Sequence, residues 1–338
     1  MIITFAFVQQ HFAACNGNTR YNPLMRKGLL LYNPAAGRVA VRPFVRGILR
    51  PLRLAGWQVE IAETLSGSHA TQVAHQAALE KYDAVFAIGG DGTVGQVANG
   101  LIHSDTALAV LPAGTMNVWA MELGQATFDL LHTGALRQNA RLLANASVHR
   151  VDVGMCNGHS FLLWAGIGLD AMIIRQLEPR PRMEKYVSVP QYVAATVWNA
   201  AIWHGMDLRV WADDQRVDGH FLLAVATNIR RYVGGMAVLS PDAYLDDGEM
   251  DLWLMSGNNI ADGFRHFFDV LAGRHLTSDQ ARRLPFRSAR VESDTAFSLQ
   301  MDGEPMLAGK QVELHIEKQA LNVLVPPAAL RLLKENQK

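Results

Sequence analysis

Short apolar runs alternate with segments of helical periodicity in the first part of the chain. This alternation is typical of βαβ units, in which helices cover a parallel sheet. The predicted strands are 28–32, 57–62, 83–88 and 107–111, and the predicted helices are 38–55, 68–81 and 93–103. The run 83–88 (DAVFAI) is apolar enough to be buried on both faces. Ser68 is predicted to cap the second helix.

After about Ser147 the pattern becomes rich in strands, which predicts a mostly antiparallel second domain. The predicted strands are 148–155, 160–165, 208–212, 221–226, 250–255, 297–301, 312–316 and 321–325. Helices are predicted at 183–203, 260–272 and 328–335.

The length of 338 residues suits about two domains. We expect an α/β domain at 25–147 and a β-rich domain at 148–326. A disordered or poorly ordered extension is expected at 1–24, and a C-terminal helix that could pack back on the first domain is expected at 327–338.

Composition excludes several classes of protein. Lysine and arginine number 31, as do aspartate and glutamate, so the chain lacks the basic excess of a general nucleic-acid binder. Cys15 and Cys156 are too few for a disulfide framework or a zinc site. No apolar stretch approaches the roughly 20 residues that span a bilayer. No basic residue precedes the apolar segment 1–8, as a secretory signal requires. We therefore expect a cytoplasmic protein.

The segment 89–93 (GGDGT) follows the buried strand and opens a predicted helix. Ligands bind beyond the carboxyl ends of parallel strands, and a helix N-terminus offers N–H groups to an anion. A tight turn also uses glycines, but here they would let backbone N–H groups approach phosphate oxygens. A phosphate would repel Asp91 unless a metal ion lay between them. The loop therefore predicts a site for a nucleotide phosphate.

Two further loops, 33–37 (NPAAG) and 112–117 (PAGTMN), follow the first and fourth strands. Because the carboxyl ends of parallel strands meet at one edge of the sheet, we expect all three loops to line one pocket. The sequence contains neither G-x-x-x-x-G-K-[ST] nor a dinucleotide fingerprint. Metal, backbone N–H groups and helix N-termini would then have to offset the phosphate charge.

Four later motifs extend this series: 151–154 (VDVG), 166–171 (GIGLDA), 246–248 (DDG) and 300–305 (QMDGEP). With them, the chain resembles the diacylglycerol kinase catalytic-domain superfamily over about residues 27–326. That superfamily includes soluble bacterial diacylglycerol kinases, phosphatidylglycerol kinases, and sphingosine and ceramide kinases. The resemblance implies an α/β N-terminal domain with a parallel sheet, as in NAD kinase and diacylglycerol kinase. It also implies a mostly antiparallel β-sandwich C-terminal domain that takes a lipid substrate.

The resemblance further implies an ATP-dependent lipid kinase with Mg²⁺ as its ion, which transfers the γ-phosphoryl group to diacylglycerol or a related lipid in phospholipid metabolism. The ATP-contacting positions that it implies are Asn33, Pro34, Ala35, Ala36, Gly37, Thr64, Gly89, Gly90, Asp91, Gly92, Thr93, Gly114, Thr115 and Asn117. The metal positions that it implies are the Asp247 carboxylate, the carbonyls of Tyr244 and Glu249, and the carboxylates of Asp91 and Asp152.

The catalytic base implied by the resemblance is Asp302 or Glu304, assisted by Asp91. Phosphoryl transfer needs an acceptor hydroxyl that is oriented and finally loses its proton. A carboxylate facing the nucleotide loops would do this, although 302–303 also fits a plain hairpin turn.

Three positions depart from the superfamily pattern. Gly95 and Gln96 stand where it usually has Asn and Glu, and Val118 stands where it often has Asp. These departures bring the details of magnesium binding into question and leave a non-catalytic lipid- or nucleotide-binding relative open. An NAD kinase-like enzyme for a soluble metabolite is a further alternative, because it shares the GGDGT loop.

A lipid acceptor requires contact with a membrane surface. Two basic stretches could supply it: Arg42, Arg46, Arg50 and Arg53 on one predicted helix, and Arg175, Arg180, Arg182 and Lys185 before an aromatic segment. Anionic headgroups attract such residues, although either stretch could be a solvated helix face. We therefore expect peripheral association with a membrane. The identity of the lipid stays open, as does a homodimer.

Overall fold

The computed structural model describes residues 25–34, 37, 39–177 and 203–337. The elements of its first part are β1 (Arg26–Tyr32), α1 (Arg42–Leu54), β2 (Trp57–Glu63), α2 (Gly67–Leu79), β3 (Ala84–Gly89), α3 (Asp91–Leu101), β4 (Ala107–Pro112), α4 (Val118–Glu122) and α5 (Ala135–Ala144). The predicted extension 1–24 and nearly all of the predicted helix 183–203 lie outside the described residues.

The second part begins with β5 and consists mainly of strands. Its elements are β5 (Ser147–Cys156), β6 (His159–Phe161), β7 (Trp164–Gly168), α6 (Leu169–Leu177), β8 (Met206–Ala212), β9 (Gln215–Thr227), β10 (Arg231–Tyr232), β11 (Ala237–Val238), β12 (Met250–Ser256), α7 (Ile260–Leu271), β13 (Ala281–Phe286), β14 (Ser288–Met301) and β15 (Glu304–Val325). Short 3-10 helices lie at Val233–Gly235, Arg274–Thr277, Pro327–Leu332 and Lys334–Gln337.

Strands β2, β1, β3 and β4 lie side by side in that order and pair in parallel. Consecutive side chains of β1 alternate between the two faces. Leu29 and Leu31 pack with residues of α2 and α3, whereas Leu30 packs with residues of α1 and α5. Helices thus cover both faces of the sheet, which explains why its strands are apolar at successive positions. This arrangement leaves the strand ends and their loops as the accessible edge.

The second part is rich in antiparallel strands, as the sequence predicts. Strands β7 and β8 each pair with both β9 and β14. These four strands therefore close around an apolar cluster that includes Phe221, Leu252 and Val291. The register of β14 against β15 shifts between Glu292 and Phe297, and such an irregularity lets a long strand bend from one layer to the next.

Strand β15 connects the two parts of the molecule. It pairs with β14 at its start and with β5 along its second half. Near its end, Val323 pairs in parallel with Leu108 of β4. One sheet therefore runs from the parallel strands of the first part into the antiparallel strands of the second.

Two local predictions differ from the structure. Ser66, not Ser68, is the N-cap of α2, because Ser66 has an extended backbone and its Oγ accepts the His69 N–H at 3.3 Å. The segment 328–335 forms 3-10 turns instead of an α-helix.

Backbone hydrogen bonds to the second part accompany the second difference. The Asp246 carboxylate accepts the backbone N–H groups of Lys334 and Glu335 at 2.6 and 3.2 Å. The Leu332 carbonyl accepts the N–H of Leu245 at 2.9 Å. The segment is thereby attached to the 246–248 turn of the second part. No helix in the described ranges has the length and apolarity needed to cross a bilayer.

Candidate active site

The loops that follow β1, β3 and β4 pack against one another at the carboxyl edge of the parallel sheet. A Cβ atom on Gly114 would overlap the Cα atom of Gly90, and one on Gly37 would overlap the carbonyl oxygen of Ala113. Gly37 also has a φ of 64°, in the left-handed region that favours glycine. The three loops therefore form a single surface of closely packed backbone.

Side chains of the same loops hold this surface in shape. Asn33 Nδ2 donates to Thr93 Oγ1 at 3.2 Å, which ties the first loop to α3. Asn117 Oδ1 accepts the N–H of Gly114 at 2.9 Å, and Asn117 Nδ2 donates to the Gly114 carbonyl at 3.0 Å. Asn117 thus closes its own loop with two hydrogen bonds.

The structure brings the described members of the predicted ATP site to one edge. They are Asn33, Pro34, Gly37, Thr64, Gly89, Gly90, Asp91, Gly92, Thr93, Gly114, Thr115 and Asn117. The other two predicted members, Ala35 and Ala36, lie outside the described residues.

Asp91 joins the second loop to the third. It is the first residue of α3, and its Oδ2 and Oδ1 atoms accept the backbone N–H groups of Val118 and Trp119 at 3.0 and 3.1 Å. The carboxylate therefore satisfies the first N–H groups of α4. Burial raises the pKa of Asp91 above its usual range, while these N–H groups oppose the rise.

Asp302 occupies the turn between β14 and β15, with a φ of 49°. Its carboxylate accepts the backbone N–H groups of Leu162 at 2.8 Å, Leu163 at 2.8 Å and Trp164 at 3.2 Å. Burial raises the pKa of Asp302 to about 7, the three N–H groups lower it, and the neighbouring Asp91 raises it. The turn thus holds a carboxyl group that gains and loses a proton near neutral pH.

The turn at 302–304 faces the first turns of α3. A Cβ atom on Gly92 would lie 3.2 Å from Glu304 Oε1, and one on Gly95 would lie 3.8 Å from Asp302 Oδ2. Small residues at 92 and 95 therefore keep open the space between the acidic turn and the helix. Asp91, Asp302 and Glu304 come together here from segments far apart in the chain.

A partly buried carboxyl group outside the predicted site residues supports this turn. Asp170 Oδ1 accepts the hydroxyl of Tyr232 at 2.8 Å, and Asp170 Oδ2 accepts Gln300 Nε2 at 2.6 Å. Gln300 Oε1 in turn accepts the N–H of Gly303 at 2.9 Å. Burial raises the pKa of Asp170. The polar residues of GIGLDA and QMDGEP were the available signal, but only the fold brings these motifs together.

A separate group of carboxylates lies at the 246–248 turn, away from Asp91. Asp152 is buried, and its oxygens accept the N–H groups of Gly248 and Gln319 at 2.6 and 2.7 Å. Burial raises the pKa of Asp152 to about 6, and the charges of Asp247 and Asp246 add to the rise. Within the described ranges, no group of three or more His, Cys, Asp and Glu side chains has the arrangement of a metal site.

A cation beside Asp247 would therefore need backbone carbonyl groups as its further ligands. Asp247 Oδ1 accepts the N–H of Glu249 at 3.2 Å, and its Oδ2 lies 3.7 Å from Lys334 Nζ. The Glu249 side chain turns instead to Arg287, at 3.2 Å. One carboxylate with backbone carbonyls is a donor set that Mg²⁺ accepts. Burial raises the pKa of Asp247, and the charges of Glu249 and Asp246 add to the rise although Lys334 opposes it. A cation would relieve this acidic excess, so these residues fit magnesium.

Two of the departures from the superfamily pattern have a structural role. The Gln96 side chain lies against the start of α2, where a Cβ atom on Gly67 would overlap Gln96 Nε2. Val118 is buried and contributes its backbone N–H to Asp91. Neither position supplies a charge to the acidic site.

A cavity of about 520 Å³ adjoins the third loop. Its lining combines that loop with Gly234 of the second part and with apolar side chains, including those of Met116, Met121, Phe128 and Leu131. The space therefore lies mostly within the first part, beside the third loop, and reaches the second part at Gly234.

Two family models match the chain. The diacylglycerol kinase catalytic domain matches residues 27–156, and the YegS C-terminal NAD kinase beta sandwich-like domain matches residues 165–325. The diacylglycerol kinase of Bacillus subtilis strain 168 is 28% identical over 295 residues, which cover 86% of this chain and 94% of that protein. The diacylglycerol kinase of Staphylococcus saprophyticus is 26% identical over 308 residues, which cover 90% of this chain and 96% of that protein.

Solved structures share the fold over nearly the whole length. A diacylglycerol kinase from Bacillus anthracis superposes with a TM-score of 0.68 at 22% identity, over 90% of this chain and 98% of that chain. A second structure from the same organism gives a TM-score of 0.71 at 24% identity, with the same coverage.

The packed glycine loops generate a prediction. Gly114→Ala should destabilise the protein by about 1–3 kcal/mol, because the added methyl group has no space. It should also weaken ATP binding. Gly134→Ala is the matched control, since no atom lies within 4 Å of its added Cβ. Chemical denaturation and calorimetric titration with ATP measure both effects. Equal behaviour of the two variants would contradict the packing described here.

Proposed function

The chain belongs to the diacylglycerol kinase catalytic-domain superfamily and is a lipid kinase, and we propose that it transfers the γ-phosphoryl group of Mg-ATP to the hydroxyl group of diacylglycerol or a related lipid at a membrane surface. The observation that carries this proposal is the position of the Asp302 carboxylate. It faces α3 at the helix end that meets the glycine loops.

The three glycine loops would bind the phosphates of ATP. Their backbone approaches closely, and the first N–H groups of α3 have no partners within the helix, which suits an anion. Asp91 is the residue that would hold the magnesium ion of the nucleotide, whose chemistry is to neutralise charge on the phosphate oxygens. Asp247, with the carbonyls of Tyr244 and Glu249, would hold a structural ion next to the buried Asp152.

Asp302 would accept the proton of the lipid hydroxyl. A general base works best when its pKa lies near the operating pH, and burial raises the pKa of Asp302 to about 7. Three backbone N–H groups and the Asp170–Gln300 hydrogen bonds fix its position. Glu304 is more exposed and nearer to Gly92, which suits contact with the nucleotide.

The lipid would enter between the two parts, toward the Asp302 turn. The cavity of about 520 Å³ adjoins the third loop and shares Gly114, Thr115 and Asn117 with the proposed ATP site. Helix α7 would contact the membrane. It exposes a stripe of large apolar side chains, namely Phe264, Phe267, Phe268 and Leu271. Exposed apolar patches of this kind mark sites of interaction with membranes or proteins.

The proposed activity predicts a phosphorylated lipid. Purified protein with Mg-ATP should phosphorylate diacylglycerol, phosphatidylglycerol, a sphingoid base or ceramide in mixed micelles. Asp302→Asn should lower kcat by about 10²–10⁴-fold. Asp294→Asn, on the same strand but exposed, is the matched control. A melting curve shows whether each variant is folded at the assay temperature. Phosphorylation of NAD instead of lipid, or ATP binding without transfer to any of the four lipids, would overturn the proposal.

The raised pKa of Asp302 predicts the pH dependence. Because the base acts when deprotonated, kcat/KM should fall tenfold per pH unit below about 7 and level off above it. Initial rates between pH 5.5 and about 9 at saturating Mg-ATP provide the profile. If Asp302 is the base, Glu304→Gln should still show the fall in kcat/KM at acidic pH. If the fall in kcat/KM at acidic pH disappears in Glu304→Gln alone, Glu304 is the general base.

The exposed stripe of α7 predicts a membrane effect. Phe264→Ser/Phe268→Ser should weaken binding to vesicles by about tenfold or more, because burial of a phenylalanine side chain contributes about 1.5–3 kcal/mol. The KM for vesicle substrate should rise, while the KM for ATP should not change. Leu79→Ser/Leu142→Ser removes two exposed leucines from other helices as a control. Equal vesicle binding by both double variants would remove α7 from the membrane contact.

A further inference from the structure

A second cavity lies at the opposite edge of the parallel sheet from the glycine loops. It has a volume of about 370 Å³ and lies between the second half of α1 and one side of α5, from Arg137 in the first turn of α5 to Asn145 just after its end. The nearby Arg26 begins β1, and the first glycine loop follows the end of this seven-residue strand. The length of the strand puts about 20 Å between the two places. This cavity is therefore separate from the proposed kinase site.

Three arginine side chains line this cavity, and no acidic residue does. Arg50 comes from α1, and Arg137 and Arg141 come from α5; the remaining lining is Pro51, Leu54, Ala55, Ala144 and Asn145. In the described part of the chain, the three arginines have neither an ion pair nor a side-chain hydrogen bond. Arg137 and Arg141 are four residues apart, a spacing at which like charges on a helix repel each other.

The attraction of cations to the carbonyl groups at helix C-termini does not explain why three arginines line this cavity. Carbonyl groups at a helix C-terminus attract cations. Here Arg26 already fills that role, because its Nη2 donates to the carbonyls of Ala55 and Ala144, at 2.9 Å each. Trp57 Nε1 also donates to the Ala144 carbonyl, at 3.2 Å. The arginines that line the cavity are thus left with their donors directed to a ligand or to solvent.

We propose that this cavity binds a phosphate-bearing anion. A guanidinium group presents its donors in a planar fork that matches two oxygens of a phosphate, and a bound anion relieves the repulsion among three cations. The volume is in the range of small-ligand cavities. The phosphate could belong to a lipid headgroup or to a soluble molecule, and the recognition chemistry is the same for both.

Inorganic phosphate is the first probe. Calorimetric titration of the full chain at constant ionic strength and without nucleotide measures its affinity, and the difference between the two variants below isolates the contribution of the cavity. Arg137→Gln/Arg141→Gln should weaken phosphate binding by about tenfold or more, because hydrogen bonds to charged groups are among the stronger ones. Arg46→Gln/Arg53→Gln removes the same charge from α1 outside the cavity lining, and this control should bind phosphate as the unmodified chain does.

Vesicles identify the source of the phosphate. Sedimentation with vesicles of phosphatidic acid, phosphatidylglycerol or phosphatidylcholine compares a phosphomonoester, a phosphodiester and a zwitterion. A tenfold loss of binding to phosphatidic acid vesicles in the cavity variant, but not in the control, assigns the site to a lipid headgroup. Unchanged vesicle binding with weakened inorganic phosphate binding assigns it to a soluble ligand. Equal phosphate and vesicle binding by both variants overturns the proposal. Neither result bears on the lipid kinase activity, because the cavity lies at the other edge of the sheet.

Discussion

The candidate active site depends on β15, because this strand connects the turn that carries Asp302 to the sheet that carries the glycine loops. Hydrogen bonds to β14 and β5, and the pairing of Val323 with Leu108 of β4, fix its register. A strand with one buried face slips only in steps of two residues, or about 7 Å. Such a step would carry Asp302 away from Gly95. The close approach of the acidic turn to α3 therefore follows from backbone pairing that runs through both parts of the molecule.

That approach has an electrostatic cost. Burial raises the pKa of both Asp91 and Asp302, and the charge of Asp91 adds to the rise for Asp302. Backbone N–H groups of Leu162, Leu163 and Trp164 offset part of the cost for Asp302. Perturbed carboxyl groups in a cleft are characteristic of functional sites. Here they favour a ligand that brings positive charge with it, and they give Asp302 a pKa of about 7.

The sequence predicts those features that depend on local pattern. Apolar runs identified the strands of the first part, and glycine-rich loops after them identified the edge where Gly90 and Gly114 meet. Contacts between distant segments were not predictable in this way. Asp170 and Gln300 are 130 residues apart, and neither has a sequence signature for the hydrogen bonds that join them. The 3-10 turns near the C-terminus were also missed, since they depend on Asp246, a partner far away in the chain.

The two edges of the parallel sheet expose backbone groups of opposite polarity to an anion. At the carboxyl edge, α3 begins, so its free N–H groups and its dipole attract phosphate without any basic side chain. At the other edge, α1 and α5 end, so their carbonyls would repel phosphate. Arg26 neutralises two of these carbonyls, and Arg50, Arg137 and Arg141 add further positive charge. An anion at this edge would therefore need side-chain cations, whereas at the other edge the free N–H groups of a helix start are available.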